Sequence, residues 1–387
     1  MGSTTSRRNF LQAGLMVPMA GTGMGLFRPA DGPAKGSAAP AKLETRVLGR
    51  TGLKVTTVGF GCMITSDGSV IERAVDAGIN YFDTARTYQS GNNERMVGAA
   101  LGANRKKVVL STKTHAPDKK TMLEHLDKSL KELGTDYVDI WYQHARSKPE
   151  EVTDETIEAQ MLAKQQGKTR FIGISTHSGQ QQLIPWMVDK KVFDVVLAAY
   201  NFSMDATMVQ AINTAAKGGM GVVAMKVMAG GPRRVKSDAQ LSQKLAQPGA
   251  MLAALKWVIK DPNVATTIPS ITDMDQLDEN LSAMAAPLSK NEERTLAAHL
   301  DNIRPLYCST CGACNGQCQQ GLPVHDVLRI LTYADGYGQF ALARERFLEL
   351  SEAHQAVRCG DCTSCTVACP NGVHVREGVA RAQELLA

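Results

Sequence analysis

No stretch of this 387-residue chain reaches the roughly 18 apolar residues that a membrane-spanning helix requires. That argues against an integral helical membrane protein. Basic residues are not gathered into a stripe interleaved with aromatics, and aromatics are only 5% of the chain, so nucleic acid is not an expected partner. Charge is also scarce. The net value is +5, of which Arg7, Arg8, Arg28 and Lys35 against Asp31 contribute +3 in the first 41 residues, leaving +2 for residues 42–387. No flavin motif is evident, and the loops carry no motif that names a substrate. With 43% hydrophobic content the chain can bury one large core and a smaller second one.

What the sequence does have is cysteine in an unusual arrangement. Eight of its nine cysteines fall in two runs of one spacing, CxxCxxCxxxC. Cys308, Cys311, Cys314 and Cys318 form the first, and Cys359, Cys362, Cys365 and Cys369 repeat it 51 residues later, followed by Pro370. This is the bacterial ferredoxin pattern for two [4Fe-4S] clusters, in which the fourth cysteine of each run ligates the other run's cluster. Three thiolates at two-residue intervals wrap one face of an iron-sulfide cube, and the fourth faces away toward a second. The duplication continues in Gly321-Leu-Pro-Val-His-Asp-Val327 and Gly372-Val-His-Val-Arg-Glu-Gly378. Zinc is the first rival, although structural zinc sites usually take separated pairs of ligands. Disulfides are the second, although cysteines this close in sequence pair only with strain. Gln319 stands where the second run has Pro370, a departure in the first run.

The N-terminus suggests a compartment. Thr5-Ser6-Arg7-Arg8-Asn9-Phe10-Leu11-Gln12 resembles a twin-arginine export signal, with Gln12 in place of the usual lysine. A mildly apolar stretch from Leu11 to Phe27 follows, then Gly36-Ser-Ala-Ala-Pro-Ala41 with an AxA-like cleavage site at Ala39 and Ala41. The plainer alternative is a leader with an accidental arginine pair. Export by this route moves folded proteins and so suits clusters inserted in the cytoplasm; the expected location is periplasmic or otherwise extracytoplasmic.

Between leader and cysteines, β-branched segments alternate with helical patterns about eight times. The strands are expected at Val55–Cys62, Asn80–Ala85, Val108–Thr114, Tyr137–His144, Thr169–Thr176, Phe193–Asn201, Gly221–Val227 and Ala265–Ile271. Helices are expected between them, for example at Thr121–Leu133, Val209–Ala216 and Ala250–Ile259. This is the pattern of an α/β (β/α)₈ TIM barrel, although another closure of an α/β sheet fits the alternation alone. Asp83, Lys113, His144, Ser175, Tyr200 and Lys226 fall at or near the C-terminal ends of expected strands, the face where such barrels hold their chemistry. The expected organisation is a leader at 1–41, a barrel at 42–300 and a two-cluster ferredoxin-like domain at 301–387. Residues 322–357 read as two helices, so that domain is expected to be helical.

Several motifs carry a family resemblance. Val47-Leu-Gly-Arg-Thr-Gly-Leu-Lys-Val55, Gly59-Phe-Gly-Cys-Met63, Tyr81-Phe-Asp-Thr-Ala85 with Tyr88, Ser111-Thr-Lys113, His144 and Gly167-Lys-Thr-Arg-Phe-Ile-Gly-Ile-Ser175 resemble the aldo-keto reductases. The cysteine tail is similar to that of their ferredoxin-bearing branch. The resemblance implies a catalytic tetrad of Asp83, Tyr88, Lys113 and His144. Their chemistry stands by itself: a phenol is a reluctant proton donor at neutral pH, a neighbouring ammonium lowers its pKa, and a carboxylate holds the ammonium in place. Tyr88 is then the acid, Lys113 its tuner, Asp83 the partner of Lys113, and His144 orients a carbonyl or relays a proton. Taken singly, each of these side chains also has an ordinary structural role.

For a nicotinamide dinucleotide the resemblance implies contacts from Ser175, Thr176, Met225, Ser270, Gln276 and Asn280. Thr176 stands where asparagine is common, Leu197 where glutamine is, and Met225 where a tyrosine often stacks on the ring. The usual basic residues after the last strand are absent, which favours NADH over NADPH because a 2′-phosphate normally recruits guanidinium or ammonium groups. Cys62 reads as a buried core thiol, and Gly230-Gly231 as a flexible loop or a close approach to a ligand. The expected activity interconverts a carbonyl and an alcohol on a small molecule, with clusters for electron transfer to an external redox partner. The alternative is an electron-transfer or binding protein with a degenerate barrel. Replacing Arg7 and Arg8 with lysine is expected to leave uncleaved precursor in the cytoplasm, checked by fractionation and immunoblotting; normal export of that variant excludes the twin-arginine signal.

Overall fold

The computed structural model describes residues 43–231 and 249–387. The leader, with Arg7, Arg8, Ala39 and Ala41, lies outside the described residues. Ala41–Ala387 form one compact unit.

The described chain opens with an antiparallel hairpin of β1 (Thr45–Val47) and β2 (Lys54–Thr56). Leu48 and Val55 of this hairpin are fully buried in one cluster with Tyr81, Ile140, Tyr142 and Val223, so the hairpin plugs the barrel from below. Gly221 opens the strand above the plug; a Cβ there would lie 2.7 Å from the Leu48 side chain, which explains the glycine.

Eight parallel strands follow in sequential order: β3 (Phe60–Gly61), β4 (Tyr81–Asp83), β5 (Val109–Thr114), β6 (Val138–Gln143), β7 (Thr169–Thr176), β8 (Val195–Ala199), β9 (Gly221–Met225) and β10 (Thr266–Thr267). Gly59 N–H donates to Thr267 O at 2.8 Å and Gly61 N–H to Pro269 O at 2.9 Å, joining the first strand to the last. The sheet therefore curls into a (β/α)₈ barrel rather than staying open. The expected strand Val55–Cys62 is in fact two pieces. Thr56 pairs with Thr45 in the hairpin, and the chain joins the barrel only at Phe60, because Lys54–Thr56 already have an antiparallel partner.

Each barrel strand is followed by an outer helix, and local chemistry sets the helix starts. Asp118 accepts from Thr121 N–H at 2.8 Å and caps Lys119–Leu133, whose Met122, Leu126, Leu130 and Leu133 form one buried stripe. Asp67, Asp205 and Asp273 cap later or earlier helices in the same way.

Beyond the barrel, Lys290–Ile303 packs Leu296 and Ile303 against Ala253 and Ala254 of the Ala250–Ile259 helix. Both helices expected within 322–357 are present, as Val324–Asp335 and Phe340–Leu348, with a short Glu352–Ala356 helix after them. With Val375–Leu386 they enclose their own core around Val327, Leu331, Phe347, Val379 and Leu386. This helical layer belongs to the same compact unit as the barrel and covers the C-terminal ends of its strands. Asn201 Nδ2 donates to Tyr307 Oη at 3.1 Å, Arg346 Nη2 donates to Thr87 Oγ1 at 3.3 Å, and the Thr310 hydroxyl donates to His177 O.

The layer and the barrel also meet backbone to backbone. A Cβ on Gly336 would collide with Gly230 O and lie 2.8 Å from Thr332 O. Gly336→Ala is expected to cost about 1–3 kcal/mol by overpacking and to loosen the layer, seen as faster hydrogen exchange in residues 324–348 with the barrel strands unchanged.

Candidate active site

The sheet brings the expected tetrad together. Asp83 ends β4, Lys113 lies on β5, His144 directly follows β6, and Tyr88 begins a short 3₁₀ turn after β4. Register places Asp83 beside Ser111, and Ser111 Oγ donates to Asp83 Oδ1 at 2.6 Å. Lys113 Nζ donates to Asp83 Oδ2 at 2.6 Å, to Thr84 O at 2.7 Å and to Tyr88 Oη at 3.1 Å. All three ammonium donors are thus engaged, at a site where Lys113 and Asp83 are each 1% exposed. The His144 and Tyr88 rings meet edge to face with centroids 5.8 Å apart, and His115 stacks on His144 with centroids 3.9 Å apart.

The electrostatics differ in one respect from expectation. Burial pushes the Tyr88 phenol upward, and this outweighs the lowering by the Lys113 charge and hydrogen bond. Tyr88 therefore keeps its proton at neutral pH, the form a proton donor needs. Burial opposes charge on Lys113 too, but Asp83 and Tyr88 more than restore it, and the ammonium is held above its ordinary pKa. His144 is pushed well below its usual range by burial and by His115 and Lys113, so its imidazole is neutral. Its Nδ1 has no partner among the described residues.

A cavity of about 570 Å³ opens above these groups, lined in part by Asp83, Tyr88 and His144. Met225, Ser270, Gln276 and Asn280 also line it, as does Gly231. Gly230 and Gly231 both adopt positive φ, 92° and 70°, a conformation that favours glycine. Ser175 and Thr176 are not on the cavity wall. Ser175 Oγ accepts from Ala145 N–H at 2.9 Å, and the Thr176 hydroxyl donates to Ser178 O at 2.8 Å. Gln276 is turned to its own helix cap, donating to Thr272 Oγ1 at 2.8 Å and to Asp273 Oδ2 at 2.7 Å. Leu197 is buried in the barrel interior. Cys62 is fully buried, and burial followed by the Asp83 charge raises its pKa, so it is an inert core thiol.

Comparison with known proteins fits this geometry. The model of the aldo/keto reductase family matches residues 67–301. The chain belongs to the aldo/keto reductase family. It is 29% identical over 300 residues to an uncharacterized oxidoreductase, YqkF, of Bacillus subtilis, an alignment covering 66% of this chain and 96% of that one. The holo form of aldo-keto reductase AKR11C1 from Bacillus halodurans superposes with a TM-score of 0.57 at 27% identity, covering 66% of this chain and 95% of its own. An aldo-keto reductase from Klebsiella pneumoniae, solved in complex with NADPH, shares the fold at a TM-score of 0.56 and 24% identity, over 66% of this chain and 94% of that one. This protein is an aldo-keto reductase-type oxidoreductase.

Sequence reasoning missed part of the reductase cavity. His115 and His177 line it after their strands, and the helical layer adds Arg329, Tyr333, Tyr337 and Arg346. The strand-end rule located Lys226 but not its partners, which lie about a hundred residues later in the chain. Among the described residues no group of His, Cys, Asp or Glu converges as on a single metal ion. The cysteines instead gather in two groups: Cys308, Cys311, Cys314 and Cys369 line one small cavity of about 20 Å³. Cys308 is pushed up to about 12 by burial, with further raising from Cys314, Cys311 and Cys369. Cys359 is likewise raised by burial, then by Cys362, Cys318 and Cys365. The two runs are laced together by Gln317, whose Oε1 accepts from Ala368 N–H at 2.9 Å and whose carbonyl accepts from Thr366 Oγ1 at 2.7 Å.

Tyr88 is the phenol that Lys113 touches at the cavity wall. Tyr88→Phe is expected to lower turnover by about 10² or more with nucleotide affinity unchanged, measured by steady-state kinetics and nucleotide titration.

Proposed function

We propose that the barrel interconverts a carbonyl and an alcohol with a nicotinamide dinucleotide, and that the cysteine tail holds two [4Fe-4S] clusters for electron transfer. The observation that carries the first part is the Tyr88–Lys113–Asp83 chain at the cavity wall. A bound nicotinamide would supply or accept the hydride at the carbonyl carbon. The protein supplies the rest: Tyr88 gives its proton to the developing alkoxide, Lys113 stabilises the phenolate left behind, and Asp83 keeps Lys113 charged. In the reverse direction the phenolate takes the alcohol proton. Neutral His144 orients the carbonyl by hydrogen bonding.

Met225, Gly231, Ser270 and Asn280 on the cavity wall support a nucleotide in this cavity. Between Ser270 and Asn280 the wall has no lysine or arginine and carries Glu279, which disfavours a 2′-phosphate and supports NADH.

The two groups of mutually close cysteines are those expected of crossed ligation. Cys308, Cys311, Cys314 and Cys369 would hold one cluster, and Cys359, Cys362, Cys365 and Cys318 the other. Two groups of four thiols, each drawn from both runs, suit two cubes of iron and sulfide better than zinc, whose structural sites usually take separated pairs of ligands. Clusters at such sites pass single electrons, so an external redox partner is part of this reading, as is export by the twin-arginine signal before cleavage of the leader. A nucleotide bound in the cytoplasm and retained would meet the scarcity of free nicotinamide outside it.

Anaerobically purified protein is expected to carry about eight irons per chain, and Cys369→Ser to damage chiefly the cluster of the first run, read by iron analysis and electron paramagnetic resonance. Adding substrate to protein with its native nucleotide is expected to change the cluster spectrum at a rate compatible with turnover. Substrate conversion with silent clusters excludes the coupling.

A further inference from the structure

The cavity of the proposed carbonyl site is walled by two parts of the chain, and their charges do not balance locally. Lys226, immediately after β9, is a non-glycine residue at positive φ, 58°, a backbone state that costs energy unless its surroundings require it. Its ammonium lies 4.6 Å from the Tyr333 ring centroid and 5.2 Å from that of Tyr337, beneath the helical layer. No carboxylate among the described residues forms an ion pair with it. Arg329 donates from Nη1 to Tyr333 Oη at 2.9 Å and from Nη2 to Asp326 at 3.1 Å, while its buried Nε has no partner among the described residues. Arg346 also lines the cavity, paired with Glu349 at 2.7 Å.

These cations impose a positive field on the mouth. After burial, His177 is pushed down by Lys226 and Arg329, and His144 by His115 and Lys113, so both imidazoles stay neutral. Burial also lowers Lys226, and the charge of Tyr333 and its hydrogen bond oppose that lowering. Tyr333 is close enough to Tyr88 for its charge to act on the catalytic phenol. Lys226 and Arg329 thus line the same cavity as Tyr88 and His177, and Lys226 follows the strand that pairs with β10, beyond which Ser270 lies.

We propose that Lys226 and Arg329, bridged by Tyr333, form an anion subsite, and that the substrate of the carbonyl–alcohol reaction carries a carboxylate held there. This rests on the carbonyl-reduction reading for the reaction but not for the binding. The substrate class is an oxo acid or hydroxy acid with its carboxylate a few bonds from the reacting carbon. The residues divide the work: Tyr88 meets the oxygen that gains a proton, and Lys226 with Arg329 meets the oxygens that stay charged.

Tyr333 adds a pH dependence. Burial would raise its phenol, but Lys226, Arg329 with its hydrogen bond, and Arg346 outweigh burial and bring it down to about 8. The groups acting on it are Lys226 after β9, Tyr88 after β4, Arg329 on its own helix and Arg346 on the next. As pH rises through this value a phenolate forms and neutralises the cations, so a carboxylate binds more weakly.

The test is calorimetric titration of anaerobic full-length protein with oxamate, a carboxylate that needs no turnover. Lys226→Met, with iron content and circular dichroism as folding controls, is expected to weaken oxamate binding roughly tenfold or more. The wild type is expected to lose affinity above about pH 8, and Tyr333→Phe to abolish that loss. Equal oxamate affinity in wild type and Lys226→Met overturns the subsite, as does absence of binding to the wild type. Lost nucleotide affinity in Lys226→Met with oxamate binding intact assigns the cations to the cofactor and also overturns it. Lys226-dependent oxamate binding by a protein that turns over no carbonyl substrate keeps the subsite and removes the reaction. Turnover of a neutral ketone with oxamate ignored does the reverse.

Discussion

The buried pair of Lys113 and Asp83 is the constraint around which the reductase site is arranged. Each is almost wholly excluded from water, and a lone charge in that position costs several kcal/mol. Each therefore requires the other, and the pairing holds only while β4 and β5 keep the register that sets Asp83 beside Ser111. A slip of one residue would turn a side chain to the opposite face of its strand and strand both charges. The same pair sets the state of Tyr88. Burial keeps the proton on the phenol, and the ammonium beside it stabilises the anion formed when that proton leaves.

A second constraint acts from above. Barrel enzymes carry their chemistry on the loops at the C-terminal ends of the strands, and in this chain part of that wall is supplied by the helical layer. The layer has its own apolar core, so it is not held in place merely by lying on the barrel. Its position depends on a few directional contacts and on the glycine-to-glycine approach of residues 336 and 230, which a single methyl group would disturb. Arg329 and Tyr333 reach the cavity from the same helix that packs Val327 and Leu331 inward. Cysteine-bearing turns and cavity wall are thus parts of one small structure, and a change in one has a short physical route to the other.

Much of this was legible in the chain itself. Eight apolar, β-branched segments separated by helical patterns implied a barrel because strands buried on both faces read as continuous apolar runs. Asp83, Lys113 and His144 were recognisable because a polar residue ending such a run has few other places to go. The cysteine runs were recognisable by spacing alone, since neighbouring thiols in a short loop have few partners but each other. Less legible was Val55–Cys62, where one apolar run serves two sheets, and periodicity cannot say which neighbour a strand will choose. Ser175 and Thr176 ended their strand as expected, yet their hydroxyls are engaged by Ala145 and Ser178 rather than facing the cavity.

The sequence by itself determined the strand order, the helix caps and the chemistry of the catalytic side chains, because these follow from local pattern and from the few options open to a buried charge. Tertiary structure alone decided which groups share a cavity. Tyr333 and Lys226 are separated by more than a hundred residues, and nothing in either segment encodes the other. They meet because the helical layer buries its own apolar stripe and settles on the glycines of the barrel, which brings a phenol and two cations to the place where the barrel is open.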